Sequence, residues 1–146
     1  MATPSANITG ALVQGYIAAA IGIDTTTKTS YENTDFVPPA DNSDWAALWI
    51  LPAPVKVDSM GALGQDEHVG VFQIDLNTVF GGSTAVLDAY ADIAYSYFVA
   101  GRRLTYNGQD VLVRSCSPSM KRKVDTWCRL SLSIYWAAWV SRAAIT

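Results

Sequence analysis

Apolar residues recur at spacings of three and four from Ile8 through Leu12, Tyr16, Ala19 and Ala20 to Ile23, the period of an amphipathic helix. Asn7 carries a side-chain oxygen that can accept from an unpaired backbone N–H, so the pattern predicts a capped first helix over residues 7–21. The run Asp24-Thr25-Thr26-Thr27 loses that period and favours an extended arm or turn leading past Tyr31 to Pro38-Pro39. From Trp45 to Leu51 both alternating sets, Trp45/Ala47/Trp49/Leu51 and Ala46/Leu48/Ile50, are apolar, as in a strand covered on both faces. Pro52 and Pro54 cannot donate to a ladder and end it. After a glycine-punctuated loop over 59–64, Phe72, Ile74 and Leu76 alternate strictly with Gln73, Asp75 and Asn77, predicting a strand with one buried and one polar face.

Gly81-Gly82 breaks that strand, and Ser83 or Thr84 can cap a second helix whose stripe is Val86, Leu87, Tyr90, Ile93, Ala94, Tyr97 and Phe98, closed by Gly101. Arg102 to Tyr106 then leads into Asn107-Gly108, a dipeptide suited to the tight turns that join antiparallel strands. A strand near Val111 to Cys116, a basic loop and a long strand from Trp127 to Trp136 follow, the last alternating Leu130, Leu132 and Ile134 against Arg129, Ser131 and Ser133. The order helix, strands, helix, strands predicts an α+β fold: an antiparallel or mixed β-sheet with two α-helices packed on one face. No repeat, low-complexity tract or linker divides the chain, so residues 1–146 are expected to form a single domain.

Composition narrows the class. Half of the residues are hydrophobic and 16% are charged, enough to bury a core and unlike a disordered chain. No apolar run reaches the length of a membrane span, the best candidate being broken by Gln14-Gly15-Tyr16. The opening MATPSANITG lacks the basic front of a secretory signal, so maturation in a cytoplasm is expected. The formal net charge of -3 conceals an asymmetry. Residues 1–75 set Lys28 and Lys56 against nine acids, whereas residues 76–146 set eight bases against Asp88, Asp92, Asp110 and Asp125. Mixed over one surface, these charges have no special consequence; segregated to different sides, they would let copies associate head to tail, the contact that closes into rings. Nucleic-acid binding is disfavoured by the acidic balance, with only Lys121-Arg122-Lys123 and scattered arginines to meet phosphates.

A search for reaction chemistry finds little. His68 is the single histidine and sits in the polar context Gln65-Asp66-Glu67, a surface position. With that one histidine and only Cys116 and Cys128, no four-ligand zinc set exists in the chain; the two thiols flank a turn and are expected reduced, with a disulfide open in an oxidising medium. Gly81-Gly82-Ser83-Thr84 lacks the lysine of a phosphate loop and reads as turn and cap. Asp88 and Asp92, one helical turn apart without a third ligand, read as a solvated face. Trp45, Trp49, Trp127 and Trp136 fall within predicted strands as packing residues, leaving Trp139 as the exposed one. No catalytic residue, metal site or cofactor is expected.

The series Tyr31-Glu32-Asn33-Thr34-Asp35-Phe36-Val37-Pro38-Pro39, Asp44-Trp45, Gly70-Val71-Phe72-Gln73-Ile74-Asp75 and Ala91-Asp92-Ile93 running to Phe98 and Gly101-Arg102 resembles the tail terminator or tail completion family of small tailed-bacteriophage proteins, from about Tyr31 to Trp136. The order and spacing carry the resemblance, and no single motif does. It implies a non-enzymatic virion protein of the tail and neck, assembled in the host cytoplasm. It also implies a homohexameric ring that caps the tail tube, meets a neck, head-completion or portal-associated protein, and passes DNA through its lumen without specific binding. The segment from Trp136 to Arg142 extends beyond that pattern. The charge asymmetry makes Arg102, Arg103, Arg114 and Arg129 candidate subunit-interface residues, with Asp35, Asp41 and Asp44 as acidic partners. Two alternatives stand beside this reading: a head-completion or neck adaptor bound to the portal complex, and a monomeric ligand-binding or enzymatic domain using Asp88, Asp92 and the exposed tryptophan.

Overall fold

The computed structural model describes residues 3–145. Helix α1 spans Pro4–Ala19 and opens with Pro4, whose fixed φ suits a first helical turn and whose missing N–H is not needed there. It therefore begins before the expected Asn7 cap: Asn7 lies inside the first turn and donates its backbone N–H to Thr3 O at 3.0 Å. The helix stops at Ala20, which takes the left-handed conformation (φ 51°). The threonine run is a turn, because Asp24 Oδ1 accepts the backbone N–H groups of Thr26 (2.7 Å) and Thr27 (3.1 Å). The extended arm shrinks to β1, Thr29–Ser30.

The remaining elements are β2 (Trp45–Pro52), β3 (Lys56–Val57), β4 (Gln65–Val79), α2 (Ala85–Tyr97), β5 (Arg103–Tyr106), β6 (Gln109–Pro118), β7 (Arg122–Val124) and β8 (Trp127–Ser141), followed by a 3-10 turn, Arg142–Ile145. They build an α+β fold around one mixed, curled sheet of eight strands in the order β1-β2-β4-β8-β6-β5, with β3 on β4 and β7 on β8. Only the β1–β2 pairing is parallel. The spine is the antiparallel pair β4–β8, in register from Gln65 opposite Ser141 to Val79 opposite Trp127. Asn107 (φ 48°) and Gly108 (φ 79°) form the expected turn between β5 and β6.

Alternation sorts the spine residues into two sets. Phe72, Ile74, Leu76, Leu130, Leu132 and Ile134 enter the main core with Ile8, Leu12 and Tyr16 of α1 and Leu87, Ala91 and Ala94 of α2. Phe98, just past α2, meets Phe72 edge to face with ring centroids 6.2 Å apart. Ile93, expected in this stripe, is 42% exposed on the outer side of α2. Tyr16 is buried with its hydroxyl 2.8 Å from Thr29 Oγ1, and burial raises its phenol pKa to about 12.

The opposite face departs from the sequence expectation. Asp75 is 3% exposed and Asn77 fully buried, so the polar positions of β4 are not solvated. Beside them Trp45, Ala47 and Trp127 form a second cluster with Phe36 laid against it, to which neither helix contributes. Strand β2 is covered on both faces only over its first half, since Trp49 and Leu51 are 44% and 49% exposed. Trp139 belongs to β8 and is half-buried beneath the Arg114 guanidinium, 5.8 Å from its ring, so Trp49 takes the exposed role expected of it. Cys116 on β6 faces Ile134 of β8, and Cys128 faces Lys123 and Thr78; both are free thiols, with burial raising the Cys116 thiol to about 11. No helix among the described residues is long and apolar enough to cross a membrane.

Candidate subunit interface

The sheet order places the two charged sets at opposite edges. Arg102 and Arg103 lead into β5, the outer strand on one side. Asp35 and Asp41 lie in the loop that enters β2 from β1, the outer strand on the other. All four are exposed. Arg102 stacks on the Tyr97 ring with Cζ 4.4 Å from its centroid, which fixes the cation outward at the end of α2. Arg103 has no ion-pair or hydrogen-bond partner for its side chain among the described residues. Asp41 accepts from the Ser43 hydroxyl at 2.6 Å and the Ser43 N–H at 3.1 Å, and these bonds hold its carboxyl below the usual range, so it stays charged.

The other three candidates are engaged inside the subunit. Arg114, at the bulge between Val113 and Ser115, pairs with Glu67 at 2.8 Å. Asp44 accepts from Thr78 Oγ1 (2.7 Å) and from the Tyr90 hydroxyl (2.6 Å), tying the start of β2 to β4 and α2. Burial and then this carboxylate push the Tyr90 phenol strongly upward.

Arg129 leads to a polar group that the sequence reading did not single out. It donates from Nε to Asn77 Oδ1 at 2.8 Å and lies 4.0 Å from Asp75. The Asp75 carboxylate also accepts from Trp49 Nε1 (3.1 Å), Gln73 Nε2 (2.8 Å) and Ser131 Oγ (2.5 Å). Three strands thus converge on one buried carboxylate. Only the strand register reveals the group: Asp75 pairs with Ala47 on one side and Ser131 on the other, a small residue and a hydroxyl that leave room for a carboxylate.

Nothing in this arrangement resembles reaction chemistry. His68 lies half-buried on β4 opposite Ala138, beside a cavity of about 150 Å³ whose other lining residues are Ser5, Ile8, Thr9, Ile50, Pro52 and Trp136, none of them a carboxylate. Asp88 is paired with Lys121 at 2.8 Å. No cluster of metal-ligating side chains occurs among the described residues.

No curated protein matches the chain. Two solved structures share the fold. One is known by a sequence identifier alone and superposes with a TM-score of 0.66 at 20% identity, covering 92% of each chain. The other is from the virion of a native gene transfer agent particle, with a TM-score of 0.59 at 18% identity, covering 96% of this chain and 100% of that one. The family model described as phage tail terminator protein matches residues 7–136, nearly the whole sheet and both helices. That match covers most of the chain, which therefore belongs to the phage tail terminator protein family.

Proposed function

We propose that copies of this chain join head to tail into a hexameric ring that caps the tail tube and joins it to the head-neck connector. Membership of the family makes the chain a structural protein of the phage tail, which associates with other virion proteins. The observation that supports the ring is the placement of charge: Arg102 and Arg103 stand at the β5 edge and Asp35 and Asp41 beside the β1–β2 edge, the two ends of the strand order, where complementary charge would bring one copy's edge to the next. Such a contact is heterologous and closes only by rotation into a ring. The net charge of -3 favours a lumen that lets DNA pass without holding phosphate. A portal-bound neck adaptor is the second reading, and the same experiment separates the two. Tail tubes assembled without the protein are mixed with it and imaged: the terminator reading predicts a ring on tube ends, and bare ends with rings on portal-bearing heads contradict it.

A further inference from the structure

Between helix α1 and strand β5 runs a groove of about 300 Å³ whose lining includes Gln14, Gly15 and Ala18 of α1, Tyr97 at the end of α2, and Arg103 and Thr105 of β5. It exists because α1 comes close to the sheet there: a Cβ on Gly15 would lie 3.2 Å from Leu104 and from Phe98. Ala18, exposed three residues further along the helix, is too small to fill the space outside. Tyr97 is fixed as a wall, with Phe98 edge to face at 5.1 Å and the Arg102 guanidinium 4.4 Å from its ring centroid. Arg103 at the rim has no partner for its side chain among the described residues. Asp110 of β6, opposite Thr105, accepts the Thr105 hydroxyl at 2.6 Å and does not line the groove. None of the lining residues is acidic, so the groove offers an apolar floor under free positive charge.

The loop between β1 and β2 is its chemical complement. Asp35-Phe36-Val37-Pro38-Pro39-Ala40-Asp41 carries two acids and no base. Phe36 is anchored on Trp45 of its own copy, ring centroids 5.3 Å apart, whereas Val37 beside it is 84% exposed. Val37 and Pro38 each precede a proline and are confined to extended backbone. The segment is closed by Asn33 (φ 57°) and Asn42 (φ 61°), and Asn42 donates its N–H to Pro39 O at 3.3 Å. An apolar side chain flanked by carboxylates is thus presented on a backbone whose ordering cost is largely met. No residue of this loop lines the groove of its own copy, and β1 and β5 stand at the two ends of the strand order. We propose that Val37 and Pro38 of one copy seat in the α1–β5 groove of the next, with Asp35 and Asp41 meeting Arg103 and Arg102 at its rim. Charge complementarity commits the occupant to a second copy, an acidic loop without bases entering a basic groove without acids. The inference rests on the head-to-tail association proposed above and adds the apolar contact that sets its register.

The test uses substitutions in the full chain that leave its charge unchanged. Val37→Ser removes the apolar plug and Ala18→Trp fills the groove, with Ala18→Leu as the milder change should the first not fold. By light scattering at low salt each is expected to associate about tenfold more weakly than wild type, with the wild-type salt dependence retained. Ala18→Cys and Val37→Cys chains are also purified separately and mixed with a short bis-maleimide. The expected product is a linked peptide joining position 18 of one chain to position 37 of the other. Wild-type association of either charge-neutral variant, or absence of that linked peptide, overturns the proposal; the edges then meet by charge alone, or the groove takes a different virion protein. A wild-type chain that stays monomeric at every concentration defeats the head-to-tail reading itself, and the proposal with it, an outcome visible without any variant.

Discussion

Reversing Arg102 and Arg103 to glutamate is expected to leave a folded subunit that no longer assembles. Neither guanidinium supports the core: Arg103 has no partner for its side chain among the described residues, and Arg102 rests on Tyr97 from outside. Loss of that one stacking contact costs about 0.5–1 kcal/mol at an exposed site. Across the proposed boundary the effect is far larger, since two attractive contacts with Asp35 and Asp41 become two repulsions, and like charges brought together at an interface cost several kcal/mol. Association should weaken by about a hundredfold or more at low salt. The gap between variant and wild type should narrow as salt rises, because exposed charges are screened over about 10 Å at 0.1 M. Sedimentation of both proteins at two salt concentrations, with circular dichroism to confirm folding, measures this. An unchanged oligomer at low salt would remove these arginines from the boundary.

Asp75→Ala is expected to produce a large loss of stability, because it removes the buried acceptor at the centre of the polar group on the second face. The carboxylate is only 5% exposed and is the common acceptor for Trp49, Gln73 and Ser131, with Arg129 4.0 Å away at 21% exposure. Removing one member of a buried charged group leaves its partners without an acceptor and costs about 3–5 kcal/mol. Arg129 keeps some contact with water and its bond to Asn77, which puts the expectation near the lower bound, about 3 kcal/mol. Asp75→Asn retains one carbonyl acceptor and should lose less. Chemical denaturation followed by tryptophan fluorescence, read at a salt concentration that disperses any oligomer, gives both values. A loss below about 1 kcal/mol for the alanine variant would show that this network contributes little to folding.

Periodicity made most of the fold legible. The stripe Ile8, Leu12, Tyr16 and the alternation Phe72, Ile74, Leu76 each name residues that meet in the core. The boundaries were harder, for local reasons: Pro4 starts α1 ahead of the more obvious Asn7, and Asp24 diverts the threonines into a turn with its own side chain. β8 runs past Trp136 to Ser141 because β4 extends equally far to pair with it, a constraint set by the partner strand and not by local pattern. The same limit applies to the candidate interface. Charge asymmetry between the two halves names candidates by residue type alone, and only the strand order and side-chain contacts separate Arg102 and Arg103, left at an edge, from Arg114, Arg129 and Asp44, which find partners within the subunit. Polar residues alternating with apolar ones ordinarily mean a wet face; Asp75 and Asn77 are dry because Phe36, Trp45 and Trp127 close over that end of the sheet.

A ring held by complementary edges is tested most directly by the native mass of the purified chain, by light scattering over a wide range of concentration at low and moderate salt. A hexamer at low salt that shifts toward monomer as salt rises is the expected result. A monomer at every concentration and salt would contradict it.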